Sequence, residues 1–125
     1  VAEMITGGIE TVLGVTKDPV FGPTVMFGLG GVFVEVLKDV TFRVAPFGPE
    51  EAHRMIDEIR GRAVLDGARG APPADLDALA NAISRLSIFA ADNSDTIQTI
   101  DINPFLALPK GAVAVDALII PSSAS

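Results

Sequence analysis

Asp101-Ile102-Asn103-Pro104-Phe105 stands between two β-rich apolar runs, residues 96–100 and 112–120. The runs are joined by Leu108-Pro109-Lys110-Gly111, a four-residue turn with Pro at its second position and Gly at its fourth. A hairpin centred on Pro109-Lys110 sets Asn103 directly opposite Asp116. Antiparallel partners share a face, with Cβ atoms about 4.5–5.5 Å apart. Asp101 then lies one diagonal step away. The two-residue alternation turns Ile102, Pro104 and Leu106 to the other side, opposite Ala117, Val115 and Val113. One face is expected to be apolar and the other to carry two carboxylates and an amide. Oxygen-only donors of this kind suit Mg²⁺ when phosphates complete its shell. The same spacing also describes ordinary solvated strand residues, and taken alone it favours them.

Upstream of the hairpin the pattern is helical. Residues 75–91 form one apolar stripe of Leu76, Leu79, Ala80, Ile83 and Leu86 with Phe89 or Ala90, and Asp75 and Asp77 stand near its start. Val64-Leu65 reads as a short helical turn stopped at Gly67. Pro49, Glu50 and Glu51 open another helix whose inner side is Ala52, Met55, Ile56 and Ile59. Before position 45 the chain reads as β. Residues 9–16 alternate, 24–29 are apolar, 32–37 and 40–45 are further strands, and Lys17-Asp18-Pro19 is a turn. A β-meander, then helices, then a hairpin predicts an α+β domain, a largely antiparallel sheet with helices on one face. The other face is left to form the wall of a site.

The 125 residues are enough for one domain. A net charge of −7 argues against nucleic acid or an anionic membrane as the main partner. Nucleotides remain allowed, since metal ions and backbone amides can hold phosphates. Without cysteine there is neither a disulfide nor a thiolate site. No apolar run approaches the roughly 20 residues of a membrane span. The start at Val1, without a basic leader, predicts a piece of a longer protein.

Gly28-Leu29-Gly30-Gly31 lacks the spacing of the common phosphate fingerprints and reads as a bend or a close-approach point for a ligand. Glu35 stands in an apolar run, which is unusual unless it faces a polar cleft or a partner. Lys38 and Arg43 could meet phosphate or form surface ion pairs. His53, the one histidine, belongs to the solvated side of its helix. Arg69 either binds an anion or ties down its loop.

Together and in order, several stretches resemble the C-terminal subdomain of the ATP-grasp domain in NDP-forming acyl-CoA synthetases. They are Gly8-Ile9-Glu10, Val15-Thr16-Lys17-Asp18-Pro19-Val20-Phe21-Gly22-Pro23, Phe27-Gly28-Leu29-Gly30-Gly31 with Glu35, Leu65-Asp66-Gly67-Ala68-Arg69-Gly70, Asp101-Ile102-Asn103-Pro104 and Val115-Asp116-Ala117. The family includes ADP-forming acetyl-CoA synthetases and feruloyl-CoA-synthetase-like proteins, with the succinyl-CoA synthetase beta subunit more distant. The resemblance spans residues 1–120, with 121–125 left as a flexible tail. It implies an enzyme, a ligase forming carbon–sulfur bonds in the cytoplasm, that uses ATP/ADP and Mg²⁺ and works through acyl phosphate and a phosphohistidine. Carried over residue by residue, it implies metal ligands at Asn103 and Asp116, with Asp101 a third ligand or outer neighbour. It implies a nucleotide hinge at Glu3 and Met4, a ribose-side or structural Glu10, and Glu35, Lys38 and Arg43 on strands flooring the phosphate site. The implied partners are nucleotide, the N-terminal ATP-grasp subdomain, and CoA-binding and ligase domains or subunits that carry the phosphohistidine. His53 does not match that histidine, so these residues alone are expected to be inactive. The alternative is a degenerate ATP-grasp remnant serving as a structural or regulatory module.

Overall fold

A computed structural model describes residues 9–29, 40–60, 62–66 and 73–121. The expected extended start, the strand at 32–37, Glu3, Met4, Glu35, Lys38, Gly67, Arg69 and the tail at 122–125 lie outside the described residues.

Among the described residues nine elements follow in order: β1 (Ile9–Asp18), β2 (Gly22–Leu29), β3 (Val40–Val44), α1 (Pro49–Asp57), α2 (Arg62–Leu65), α3 (Leu76–Asp92), β4 (Ile97–Ala107), β5 (Ala112–Ala114) and β6 (Ala117–Pro121). The sheet runs β3-β2-β1-β4-β5, with β6 also on β4, and every pairing is antiparallel. The α+β expectation holds, and the meander-helices-hairpin order is the observed one.

Alternation decides which side chains meet the helices. Leu13 and Val15 of β1, Val25 and Phe27 of β2 and Ile100 of β4 are buried on one side. They pack with Met55 and Ile56 of α1 and with Leu79, Ala80 and Ile83 of α3. Fully burying each large apolar side chain contributes about 1.5–3 kcal/mol relative to exposure. Asp75 caps α3, its carboxylate accepting from Ala78 N at 3.0 Å. The apolar stripe of α3 ends on Ala90, whereas Phe89 is 44% exposed. The buried face also includes Ser84 and Ser87, whose hydroxyls bond the Phe47 backbone in the β3–α1 connection.

The hairpin differs from its expected form in one respect. Its register is as expected: Leu106 pairs with Val113 and Ile102 with Ala117. On the β1 side, however, Thr11 pairs with Phe105 and Leu13 with Ile102. Val12 thus faces two residues, Asn103 and Pro104, which is a β-bulge. Pro104 has no N–H to give to a ladder and belongs at such a place. The bulge shifts the alternation by one, so Ile100 and Ile102 face the helices before it, and Phe105 and Ala107 after it. Leu106 therefore pairs with Glu10 on the other face, and the expected apolar set of Ile102, Pro104 and Leu106 is corrected. The single expected run 112–120 is also broken, at Val115 and Asp116, into β5 and β6.

Candidate functional site

No described helix covers the second face of the sheet. Strand pairing places Phe42, Met26, Gly14, Asp101 and Leu118 in one row across it, from β3 through β2, β1 and β4 to β6. Phe42 and Leu118, at the two edges, are 55% and 58% exposed. Asp101 stands between the apolar edge and the bare backbone of Gly14.

Two residues along β4, the hairpin register sets Asn103 beside Asp116. The Asn103 N–H donates to the Asp116 carbonyl at 3.1 Å, and the Val115 N–H donates to the Pro104 carbonyl at 3.1 Å. The β5–β6 break and the β4 bulge thus coincide, and two short bonds bridge the gap. Asp101, Asn103 and Asp116 are all exposed. Among the described residues none of their side chains has a hydrogen-bond or ion-pair partner. Nor does any group of three or more His, Cys, Asp or Glu among the described residues make a metal site by itself. Two carboxylates and an amide offer oxygen donors for part of a metal shell. Such a set fits Mg²⁺, which usually keeps one or two carboxylates and takes further oxygens from phosphates and water.

The turn that closes the hairpin is fixed from α3. The Asp75 carboxylate accepts from Gly111 N at 2.9 Å as well as from Ala78 N, and Asp75 N–H donates to the Leu108 carbonyl at 2.8 Å. The Gly111 N–H, then that of Ala78, holds this carboxyl below its ordinary value of 3.8. Gly111 has φ +85°, a region that suits glycine. At the other end of the sheet, Asp18 accepts from Val20 N at 2.7 Å and Phe21 N at 2.9 Å. These bonds, Phe21 foremost, lower its carboxyl below 3.8.

The other candidates are spread apart. Glu10 is exposed and shares its face with Leu106, on the far side of the bulge from Asp101. Arg43 pairs with Val25 and so faces the helices. Its guanidinium bonds Glu51 at 2.6 Å and Glu58 at 2.5 Å, and these partners, Glu58 first, raise its pKa above the ordinary arginine value. The structure therefore brings Asp101, Asn103 and Asp116 together and separates Arg43 from them. His53 lies on the helix side as well, with Nε2 3.1 Å from Asp77 Oδ1. Sequence reasoning missed Gly14, Ser84, Ser87 and the Asp75 link to the turn. The interior position of Gly14 within an alternating strand was the available signal for the first.

The chain matches the ATP-grasp domain family over residues 1–120. It is 48% identical over 122 residues to the beta subunit of ADP-forming acetate–CoA ligase II of Pyrococcus furiosus, covering 96% of this chain and 52% of that subunit. With the beta subunit of ligase I from the same organism it shares 50% identity over 117 residues, covering 94% and 50%. Among solved structures it matches a dinucleotide-forming acetyl-coenzyme A synthetase 1 of Ca. Korarchaeum cryptofilum, in complex with coenzyme A and Mg-AMPPCP. There the TM-score is 0.87 at 47% identity, over 92% of this chain and 54% of that one. The chain spans about half the length of these relatives. With a family match across nearly all its residues and an antiparallel α+β sheet of the matching form, the chain belongs to the ATP-grasp domain family.

Proposed function

We propose that this chain is the nucleotide- and Mg²⁺-binding half of an NDP-forming acyl-CoA synthetase. The complete ligase would pass a phosphoryl group from an acyl phosphate through a phosphohistidine to ADP, leaving the acid and ATP, or run the same steps in reverse, with the phosphohistidine on domains or subunits outside this chain. The observation that carries the reading is the facing pair Asn103 and Asp116. Their backbones are bonded at 3.1 Å on the helix-free face, and their side-chain oxygens are without protein partners among the described residues. Half-length likeness to ADP-forming ligase beta subunits, and to an acetyl-CoA synthetase that holds Mg-AMPPCP, supports it.

In this reading Asn103 offers a neutral amide oxygen and Asp116 a carboxylate, while Asp101 binds directly or holds a coordinated water. Bound Mg²⁺ supplies charge neutralisation and orientation of the transferring phosphoryl group. Glu10 takes the ribose side. Glu3 and Met4, at the hinge, and Glu35 and Lys38, near the phosphates, enter on the family resemblance alone. Arg43 has no part, because Glu51 and Glu58 hold it on the opposite face. The remaining partners are the other ATP-grasp subdomain and the CoA-binding and ligase parts of a cytoplasmic enzyme.

In the complete ligase, Asp116→Ala should lower turnover at least about 100-fold and abolish Mg²⁺-dependent binding of AMPPCP. The side chain is exposed and unpartnered among the described residues, so circular dichroism and the thermal midpoint should stay at wild-type values. A folded Asp116→Ala enzyme with near-normal turnover would sink the assignment.

A further inference from the structure

Gly14 is a glycine that the fold does not need. Glycine inside a strand weakens it, and where it occurs it marks a bulge, a tight bend, or the close approach of a ligand or another backbone. The register around Gly14 is regular on both sides. Leu13, Gly14 and Val15 pair in sequence with Phe27, Met26 and Val25, and with Ile102, Asp101 and Ile100. The bulge in this pairing lies between Thr11 and Leu13. The backbone of Gly14 is not in the left-handed region, which among the described glycines is taken by Gly22 and Gly111. A Cβ at Gly14 would meet the Ile100 carbonyl oxygen at 3.5 Å and Met26 Cε at 3.6 Å, both ordinary contacts. Alanine would fit, and the smaller entropy loss on folding would favour it.

What glycine does provide is bare backbone on the helix-free face, in the row that holds Asp101. A longer side chain would stand up from the sheet between Asp101 and Met26. Among the described residues the one side chain within 4 Å of a Cβ placed there is Met26, whose thioether end is flexible enough to move aside.

We infer that Gly14 is the bare floor over which the phosphate chain of a nucleoside di- or triphosphate passes, its divalent cation held beside it at Asp101, Asn103 and Asp116. This rests on the nucleotide-binding reading above and adds a residue whose side chain must be absent. Gly14 touches the ligand through its backbone, so enlarging it blocks binding without removing any donor.

The test is calorimetric titration of the complete ligase, as wild type, Gly14→Ala and Gly14→Val, with AMPPCP and with AMP in the presence of Mg²⁺. Gly14→Val should lower affinity for AMPPCP at least about tenfold, the size of a modest steric misfit, with Gly14→Ala in between. Thermal midpoints of both variants should equal or exceed wild type. The loss should be larger for AMPPCP than for AMP. If Gly14→Val fails to fold, Gly14→Ala decides. Unchanged AMPPCP affinity in folded variants overturns the inference, and equal losses for AMP and AMPPCP overturn its phosphate assignment. If the wild-type enzyme itself fails to bind Mg–AMPPCP, the underlying nucleotide reading falls and this inference falls with it.

Discussion

Arg43 shows how a residue's partners decide its role. From sequence it is a cation near a glycine-rich stretch, equally suited to phosphate or to an ion pair. Its β3 register turns it toward the helices, where Glu51 and Glu58 hold it. The Arg43 bond, then that of Arg54, keeps the Glu51 carboxyl below its ordinary 4.5. A carboxyl with a lowered folded value takes up protons more readily when unfolded. Its contribution is therefore complete above pH 4.5 and fades as pH falls through the lower folded value. Arg43→Met should lower the thermal midpoint at pH 7 and flatten the acid limb of stability. It should leave Mg–AMPPCP affinity of the complete ligase unchanged. A loss of nucleotide affinity matching that of Asp116→Ala would return Arg43 to the site. The three oxygen-bearing residues show the reverse. Nothing in their spacing separated ligands from solvated strand residues. What supports the proposed ligand role is their being gathered, unpartnered among the described residues, at one break in the sheet.

At the scale of elements, the helices and most strands were legible because burial follows simple periods. The α3 stripe from Leu76 to Leu86 and the β1 alternation each match one buried face. The hairpin register was legible from its turn alone. The bulge was not, because a strand pattern shows two-residue alternation but not the extra residue its neighbour must accommodate. Pro104 signalled a defect without saying on which side it would fall. Ser84 and Ser87 escaped for a related reason. Polar residues on a buried helical face read as interruptions until a buried backbone appears that needs them. Ser87 Oγ accepts from Phe47 N at 3.1 Å, and Ser84 Oγ donates to the Phe47 carbonyl at 2.8 Å. Ser87→Ala should leave the Phe47 N–H without that acceptor and cost about 1–3 kcal/mol in urea unfolding. A cost below about 0.5 kcal/mol, the range of indifferent surface changes, would mean that the Phe47 connection is satisfied another way.

At the scale of the molecule, the sheet is asymmetric. One face is sealed by helices, and the other carries Asp101, Gly14 and a rim of exposed apolar residues: Phe42 and Val44 at one edge, Leu118 and Ile120 at the other. A single open wall cannot exclude water from a transferring phosphoryl group, and ligand sites bury most of the surface of what they bind. The only histidine, His53, is on α1 and pairs with Asp77 of α3, behind the sheet from Asp101. It is therefore badly placed to receive a phosphoryl group from a nucleotide held on the helix-free face. In the proposed reading Asp101, Asn103 and Asp116 would supply only part of a metal shell, and the rest would come from ligand and water. Together these features predict that the 125 residues alone catalyse no phosphate exchange between ATP and ADP at any Mg²⁺ concentration, while the complete ligase does. Isotope exchange with labelled ADP measures this directly. Exchange by the isolated chain that survives His53→Ala would show one wall to be sufficient. Exchange abolished by His53→Ala would instead make that histidine a phosphate carrier, against its placement on the helix side.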